Sequence, residues 1–253
     1  MAPMPPTRTA PPAPVAVEAD PADTGATTLA ERAADQVRHA ILSGAIAPGS
    51  KLHIQRLSAQ FGLSATPMRE GLTRLASTGG LVQAVGQRGF RVQPMSLSDL
   101  QDIQRMRHLV EGEAMRLAVE HGDLQWEQGI VAALHGLKSL GFGSHETLPA
   151  GEPLFDRAHR AFHTALLAGC GSPRLLQAHA ELHDQIYRYR IVLRLVPRRK
   201  ALTDRDHAAL ARHALARDAR AAVEALHAHI DLTTQALLQL PADTLAQAFG
   251  EPG

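Results

Sequence analysis

The chain has 253 residues, of which 45% are apolar and 20% charged, and its formal net charge is +1. That length suits one large domain or two smaller ones, each with a sizeable core. The single cysteine excludes an intramolecular disulfide framework, and no apolar run approaches the roughly 18 residues of a membrane span. Because the N-terminus also lacks the apolar stretch of a signal peptide, we expect a cytoplasmic protein with no membrane partner.

The charge is unevenly distributed along the chain. Residues 27–93 carry eight Lys/Arg against three Asp/Glu, whereas the residues from 94 onward carry 17 against 19. A basic first module joined to a near-neutral second one predicts a polyanionic partner for the first. Residues 1–26 are rich in Pro and Ala, and we expect them to be a disordered tail.

Residues 27–94 contain three helical patterns followed by two short β-like runs. The turn 86-GQRG-89 joins the two runs and gives the predicted hairpin a basic tip. Ser64 or Thr66 is a natural N-cap for the third helix. The helices are predicted over 27–44, 53–63 and 64–77, and the strands over 81–85 and 90–92.

This order of elements is typical of a winged helix-turn-helix domain. Its third helix would present Ser64, Ala65, Thr66 and Arg69 at the N-terminal end. In this motif that end meets base edges and phosphates, and the partial positive charge of a helix start attracts phosphate. The alternative is a small helical domain with an ordinary solvated face.

The stretch AILSGAIAPGSKLHIQRLSAQFGLSATPMREGLTRL resembles the DNA-binding domain of the GntR family of bacterial transcription regulators. The resemblance covers roughly residues 28–93 and implies DNA contacts from three places. These are the start of the second helix, the start of the recognition helix and the wing tip. The corresponding positions in this chain are Gln55, Ala65, Thr66, Arg69, Gln87, Arg88 and Gly89.

Two of these positions depart from the family pattern. Gln55 and Ala65 stand where the family usually has arginine. Losing two arginines weakens both phosphate neutralisation and guanine recognition. Arg56 is adjacent to Gln55, but it would point elsewhere on the helix. We therefore expect an operator that differs from the family's common one.

From residue 97 the pattern is almost entirely helical, with predicted helices at about 97–122, 124–139, 153–169, 173–196 and 203–239. Each amphipathic helix needs another element to cover its apolar stripe. The chain is therefore predicted to be mainly α, with the winged helix-turn-helix followed by an all-α antiparallel bundle over 97–240. Residues 241–253 are expected to be a flexible C-terminal tail.

Histidine is abundant in this half, so spacing has to identify any functional ones. His159 and His163 are four residues apart, which puts them on one helical face about 6 Å apart along the axis, within reach of one ion. His207 precedes a helical stretch and His229 lies near the end of the next one. If 203–239 folds as an α-hairpin that turns at Arg217-Asp218, both lie at the same end of the bundle.

Four neutral imidazoles suit zinc, nickel or another late first-row divalent ion. His179 and His183 share the i,i+4 spacing, and spacing alone does not exclude that rival pair.

The second module resembles the FCD domain of the FadR-type branch of the same family. The resemblance rests on 107-RHLVEGEAMRLA-118, 162-FHTALLAGCGSPRLL-176, 184-DQIYRYR-190 and 206-DHAALARHALARDARAAVEALHAHI-230. Many such domains bind a divalent metal through an aspartate and three histidines. The three histidines correspond to His163, His207 and His229, whereas His159 stands at the aspartate position. Ser172 likewise replaces the family's asparagine.

The resemblance also implies an effector. In related proteins a small organic acid bridges the metal and an arginine, and an inward-facing Arg107 could supply that bidentate contact. A surface ion pair between Arg107 and Glu111 is the alternative.

The sequence therefore predicts a homodimeric DNA-binding regulator, in the repressor mode commonest among such proteins, that acts on a palindromic operator. Its effector would be a small carboxylate bound at the metal. We expect no catalytic residues. The alternatives are a metal-dependent hydrolase and a metal-free regulator that responds to an acyl thioester.

Overall fold

The computed structural model describes residues 28–78, 80–140, 154–193 and 200–249. The disorder predicted for residues 1–26 lies outside these ranges. Within them the chain forms ten α-helices and three short strands. The helices are α1 Leu29–Leu42, α2 Ile54–Phe61, α3 Ala65–Ser77, α4 Leu97–His121, α5 Leu124–Leu140, α6 Leu154–Leu167, α7 Pro173–Val192, α8 Lys200–Leu215, α9 Ala219–Leu238 and α10 Ala242–Phe249. The strands are β1 Lys51–Leu52, β2 Val82–Ala84 and β3 Phe90–Val92.

The N-terminal domain is built on the packing of α1 against α3. Thr28 caps α1 in a reciprocal capping box with Glu31, which satisfies two backbone N–H groups at the helix start. The two helices meet at Gly71, where a Cβ atom would lie 2.8 Å from the backbone oxygen of Ala30. Glycine at this position therefore permits the close approach of the two backbones.

The wing is a three-stranded antiparallel sheet in the order β1-β3-β2. Phe90 and Val92 of β3 turn their side chains into the core of the domain. The tip over Gly86–Arg88 is one 3₁₀ turn, and both its first residue, Gly86, and the following residue, Gly89, have positive φ. The predicted hairpin is therefore present, but β1 is a third strand that was not predicted from the sequence.

The second half is an all-α bundle in which α4 packs against α7 and α9. The predicted helix pattern over 97–240 agrees with the observed elements to within a few residues. The hairpin of α8 and α9 turns where it was predicted: Arg217 has a φ of 58°, and Asp218 caps α9 by accepting from the backbone N–H of Ala221. His207, which was expected to precede a helical stretch, lies within α8.

The C-terminal segment differs from the flexible tail predicted for 241–253. Residues Ala242–Phe249 form α10, and Leu245 and Phe249 are buried. The Phe249 ring packs edge-on against Tyr189, with 5.5 Å between ring centroids. Burial of these two apolar side chains, four residues apart on one face of the helix, stabilises the segment.

The two domains are joined by ion pairs as well as by the chain. Asp184 of α7 accepts two hydrogen bonds from Arg38 of α1, at 2.5 and 2.6 Å. Arg160 of α6 contacts the same carboxylate at 2.8 Å. Arg188 of α7 donates to the backbone oxygen of Gln93, at the end of the wing. Helix α7 thus contacts the winged domain directly, and α6 reaches that contact only through Arg160, which pairs with Asp184.

None of the described helices combines the length and apolarity that crossing a membrane would need.

Candidate functional site

Three helices bring four histidines together inside the bundle. Residues His159 and His163 come from α6, His207 from α8 and His229 from α9. One ring nitrogen from each lies within 4.8 Å of the other three. The ring centroids of His207 and His229 are 4.7 Å apart, and those of His159 and His163 are 4.4 Å apart. The structure therefore assembles the quartet that spacing predicted.

The fold explains why these side chains meet. Phe162 and Leu166 anchor α6 in the main core, so the face that carries His159 and His163 turns inward as well. The α8–α9 hairpin then places His207 and His229 on facing positions. His159, His163 and His207 are buried, and His229 is partly exposed.

The electrostatics of the site favour neutral imidazoles. Burial, followed by the charge of Arg190, holds the pKa of His159 well below its usual value of 6.5. Burial and the neighbouring His229 do the same to the pKa of His163. Both rings are therefore neutral near pH 7, which is the protonation state that ligates a metal.

The four nitrogens fit a divalent ion of the zinc class. In a tetrahedral site with metal–nitrogen bonds of about 2.0–2.1 Å, ligand nitrogens lie about 3.4 Å apart, so the observed cluster needs only a small contraction. No carboxylate belongs to the cluster in the described part of the chain. An all-imidazole set disfavours magnesium and calcium, which prefer oxygen ligands.

His159 also has a second partner, Arg190 of α7. A guanidinium nitrogen of Arg190 lies 2.8 Å from Nδ1 of His159. Because a guanidinium only donates, this Nδ1 must accept the hydrogen bond. A histidine that ligates a metal through Nε2 carries its hydrogen on Nδ1. His159 therefore cannot do both at once, and this makes it the weakest ligand of the quartet.

Asp156 lies one turn before His159 and does not join the cluster. Its carboxylate accepts a hydrogen bond from the Tyr187 hydroxyl at 3.1 Å and faces Arg190 at 3.7 Å. Ser172, at the position of the family's asparagine, caps α7 by accepting from the backbone N–H of Leu175. Both residues thus have structural partners.

Arg107 faces the bundle interior and forms a two-point ion pair with Glu111, at 2.7 and 3.0 Å. The Glu111 carboxylate is fully buried and also contacts Nδ1 of His179 at 3.2 Å. Burial raises the pKa of the Glu111 carboxyl, but Arg107 and His179 lower it further, to about 2. The predicted alternative for Arg107 named the right partner, but the pair is buried and not at the surface. A role of Arg107 in effector binding stays a prediction.

The rival pair splits between two environments. His179 faces Glu111, whereas His183 has no hydrogen-bond partner for either ring nitrogen among the described residues, although it is almost completely buried. Neither belongs to the metal-capable cluster of the described chain. Spacing made the two equivalent, and neither the isolation of His183 nor the position of Arg190 was predicted. The signal was available, because positions 179, 183, 187 and 190 recur on one helical face.

The predicted DNA-binding residues lie at the N-terminal ends of α2 and α3 and at the wing tip. The six on the two helices are all exposed, namely Gln55, Arg56, Ser64, Ala65, Thr66 and Arg69. At the tip, Arg88 is exposed and Gly89 half-buried, and the side chain of Gln87 lies outside the described part of the chain.

The chemistry of this surface suits phosphate. Ser64 occupies the N-cap position of α3, but its hydroxyl makes no capping hydrogen bond. Arg56, Arg69 and Arg88 form no ion pair within the described ranges. Unpaired guanidinium groups beside a helix start are an anion-binding arrangement. The contacts themselves stay predictions.

Comparisons with known proteins agree with this geometry. Residues 29–92 match the bacterial regulatory proteins of the gntR family, and residues 102–232 match the FCD domain. The chain is 35% identical to the uncharacterised HTH-type transcriptional regulator BphR of Paraburkholderia xenovorans (strain LB400), over 84% of this chain and 86% of that protein. It is also 35% identical to the HTH-type transcriptional repressor GlaR of Escherichia coli (strain K12), over 77% and 89%.

Among solved structures, E. coli McbR/YncC superposes with a TM-score of 0.68 at 22% identity, over 85% of this chain and 99% of that one. At that identity the likeness establishes the fold. The families and relatives are transcription regulators and not enzymes. The chain belongs to the GntR family of DNA-binding transcription regulators, with an FCD domain as its helical half.

Proposed function

We propose that the protein is a repressor whose helical domain senses a small organic acid at a bound divalent metal. The observation that carries the sensor half is the histidine quartet: four imidazole nitrogens within 4.8 Å of one another inside a bundle. Repression is supported by the relative GlaR, which is named a transcriptional repressor.

His163, His207 and His229 would hold the metal, with His159 as the conditional fourth ligand. Zinc or nickel suits a set of neutral imidazoles. The ion would supply a positive charge that attracts a carboxylate. The chain itself excludes bulk water by burying three of the four rings.

The DNA half of the proposal places the starts of α2 and α3 and the wing tip on a palindromic operator, one winged domain of a homodimer on each half-site. Effector binding would favour one relative placement of the two winged domains. A placement that does not fit the half-site spacing lowers operator affinity, and the effector can shift the equilibrium only by its differential affinity for the two states.

Metal analysis of the full chain, purified without chelator, tests the sensor. We expect stoichiometric zinc or nickel, and a thermal-shift screen should find a small organic acid whose stabilisation disappears on chelation. His163→Ala should lose the metal, whereas His121→Ala, an exposed histidine on α4, should keep it. Wild-type protein with no metal would contradict the site and favour a metal-free regulator.

A further inference from the structure

The face of helix α7 that packs into the bundle carries a stripe of polar side chains, although an apolar stripe is expected there. His179, His183 and Tyr187 are all buried and lie at successive turns of this face. Arg190 continues the face, with about 10% of its side chain exposed. A helix that packs into a core normally presents leucine-like side chains there, since burying polar groups without partners is unfavourable. Each member of the stripe therefore requires a partner.

Three members of the stripe have one. His179 contacts Glu111, Tyr187 donates to Asp156, and Arg190 donates to His159. His183 lies between them with both ring nitrogens unpartnered among the described residues. An orphaned buried polar group costs on the order of 1–3 kcal/mol. A ligand that accepts a hydrogen bond from the His183 ring would remove that cost.

The position of His183 defines where such a ligand would lie. Its ring centroid is 6.4 Å from that of His159, so His183 lies beside the quartet. Arg190 is seven residues further along α7, on the same face, and contacts Nδ1 of His159 at 2.8 Å. A small group that accepts a hydrogen bond from the His183 ring would therefore lie beside the quartet, near the guanidinium that contacts His159.

The charges of the two buried arginines, Arg107 and Arg190, indicate the chemical class of this ligand. Arg107 is neutralised by its two-point ion pair with the buried Glu111. Arg190 has a weaker counter-ion, since Asp156 is 3.7 Å away. A guanidinium stays protonated at neutral pH, so Arg190 is a cation there. An anion is the ligand that compensates this charge.

We infer that His183 and Arg190 bind the carboxylate of the effector, His183 donating a ring N–H and Arg190 supplying the positive charge. This inference rests on the proposed sensing function and reassigns the carboxylate contact from Arg107 to α7. Arg107 acts instead as the partner that keeps Glu111 ionised and so orients His179.

Acetate is the probe that tests the inference, with acetamide as its uncharged analogue. Acetate has few atoms, so a dissociation constant of the order of millimolar is expected. The full-length protein is titrated to about 100 mM acetate against matched sodium chloride while unfolding is followed by thermal shift. We expect acetate to raise the melting temperature and acetamide to leave it unchanged.

Variants then identify the binding residues. Arg190→Gln and His183→Asn should each weaken the acetate response about tenfold or more, the loss of one charge-assisted or buried hydrogen bond. Arg190→Lys keeps the charge and should retain part of the response. This variant replaces Arg190→Gln in the test if the glutamine variant does not fold. Arg116→Gln and His121→Asn change a partly exposed and an exposed residue of α4, and both variants should respond as wild type.

The metal content of every variant is measured in parallel, which separates this inference from the metal site. Variants that keep the metal and lose the acetate response support the inference. A wild-type response in both Arg190→Gln and His183→Asn overturns it, and so does a metal-loaded wild-type protein that acetate leaves unchanged. If wild-type protein holds no metal, the metal site fails, and the acetate titration still decides the roles of His183 and Arg190.

Discussion

Burial sets the protonation state of single histidines in this bundle. His159, His163 and His183 each have a pKa held well below 6.5, with burial as the largest cause in all three. The unfolded chain binds protons at these positions near pH 6.5, and the folded chain does not. Folding is therefore linked to pH through residues that lie at the sensor site.

The sign of this linkage gives the first prediction. Because the folded pKa values are lowered, the stabilisation is fully present above pH 6.5 and is lost as pH falls toward the folded values. Each such histidine contributes at most about 1.4 kcal/mol per pH unit. Urea unfolding in the presence of chelator, between about pH 5 and 8, should show a free energy of unfolding that falls on acidification.

His163→Gln serves as the control for this measurement, since it removes one titrating ring from the interior. Its free energy of unfolding should depend less steeply on pH than that of the wild-type protein. Equal slopes would show that His163 does not contribute to the linkage.

Arg69 gives a second prediction at the same scale. It lies exposed in the first turns of α3 and forms no ion pair within the described ranges. If its guanidinium contacts a phosphate, Arg69→Ala should weaken operator binding and reduce the slope of log K against log salt by about 1. Fluorescence anisotropy at several salt concentrations measures both quantities.

Arg74 offers a matched comparison on the same helix. It is paired with Glu31 at 2.8 Å and lies near the C-terminal end of α3. Arg74→Ala should leave the salt slope unchanged. A slope that falls equally in the two variants would assign the effect to net charge and not to a contact.

The metal-capable quartet could be predicted from the sequence, but its surroundings could not. Spacing of four and 22 residues places histidines on helical faces, and the resemblance identified which ones meet. Neither determines which face of α7 turns inward, so the different surroundings of His179 and His183, a rival pair on spacing alone, could not be predicted. An arginine near a helix end, such as Arg190, is most often exposed, and only the tertiary fold shows it buried.

At the scale of the elements, the backbones of α1 and α3 approach each other closely at Gly71. A Cβ atom on Gly71 would lie 2.8 Å from both the oxygen of Ala30 and the nitrogen of Ala34, and 2.9 Å from the Ala33 Cβ. Two of these three atoms belong to the backbone, which yields only if the helices separate. The recognition helix is therefore positioned by the absence of a side chain.

Gly71→Ala should consequently destabilise the protein by about 1–3 kcal/mol, the usual effect of overpacking a core. Gly129→Ala provides the opposite case, since Gly129 lies in the middle of α5 and a Cβ atom added there would meet no described residue within 4 Å. Alanine there should stabilise by roughly 0.5–1 kcal/mol. Chemical denaturation of both variants checks the pair, and a neutral Gly71→Ala would contradict the close approach.

Most helices could be predicted because their apolar residues recur at helical spacing over several turns. The two missed elements are short. Strand β1 has only two residues and exists through pairing with β3, which no local pattern reveals. Helix α10 has eight residues and only two buried apolar side chains, so it depends on the surface formed by Tyr189 and its neighbours.

At the scale of the whole molecule, Asp184 lies where three helices meet. It pairs with Arg38 of α1 and with Arg160 of α6, and it follows His183 in the sequence. Arg160 in turn follows His159. Asp184, which contacts the winged domain, and Arg160, which contacts Asp184, are thus chain neighbours of residues at the candidate sensor site. A shift of α7 at that site changes the contact with α1 directly, and a shift of α6 changes it through Arg160.

This arrangement predicts that Asp184 couples the two domains energetically. Asp184→Asn removes the charge that compensates two guanidinium groups, whereas Arg38→Met removes only one contact. The asparagine variant should therefore lose more stability. In a double-mutant cycle the coupling energy between Arg38 and Asp184 should be about 1 kcal/mol. This value is at the upper end for exposed ion pairs, because the contact is bidentate and Asp184 is largely buried.

Calorimetry of the full chain distinguishes coupling from a general loss of stability. Without the Arg38–Asp184 ion pair, the winged domain should unfold at a lower temperature than the bundle, so the transition broadens or splits. Arg105→Met is the control, because Arg105 pairs with Asp102 on the exposed face of α4, within one domain. If Arg38→Met and Arg105→Met give the same single transition, Asp184 does not link the domains. If only Arg38→Met separates the two transitions, movements of α7 reach the winged domain directly through Asp184.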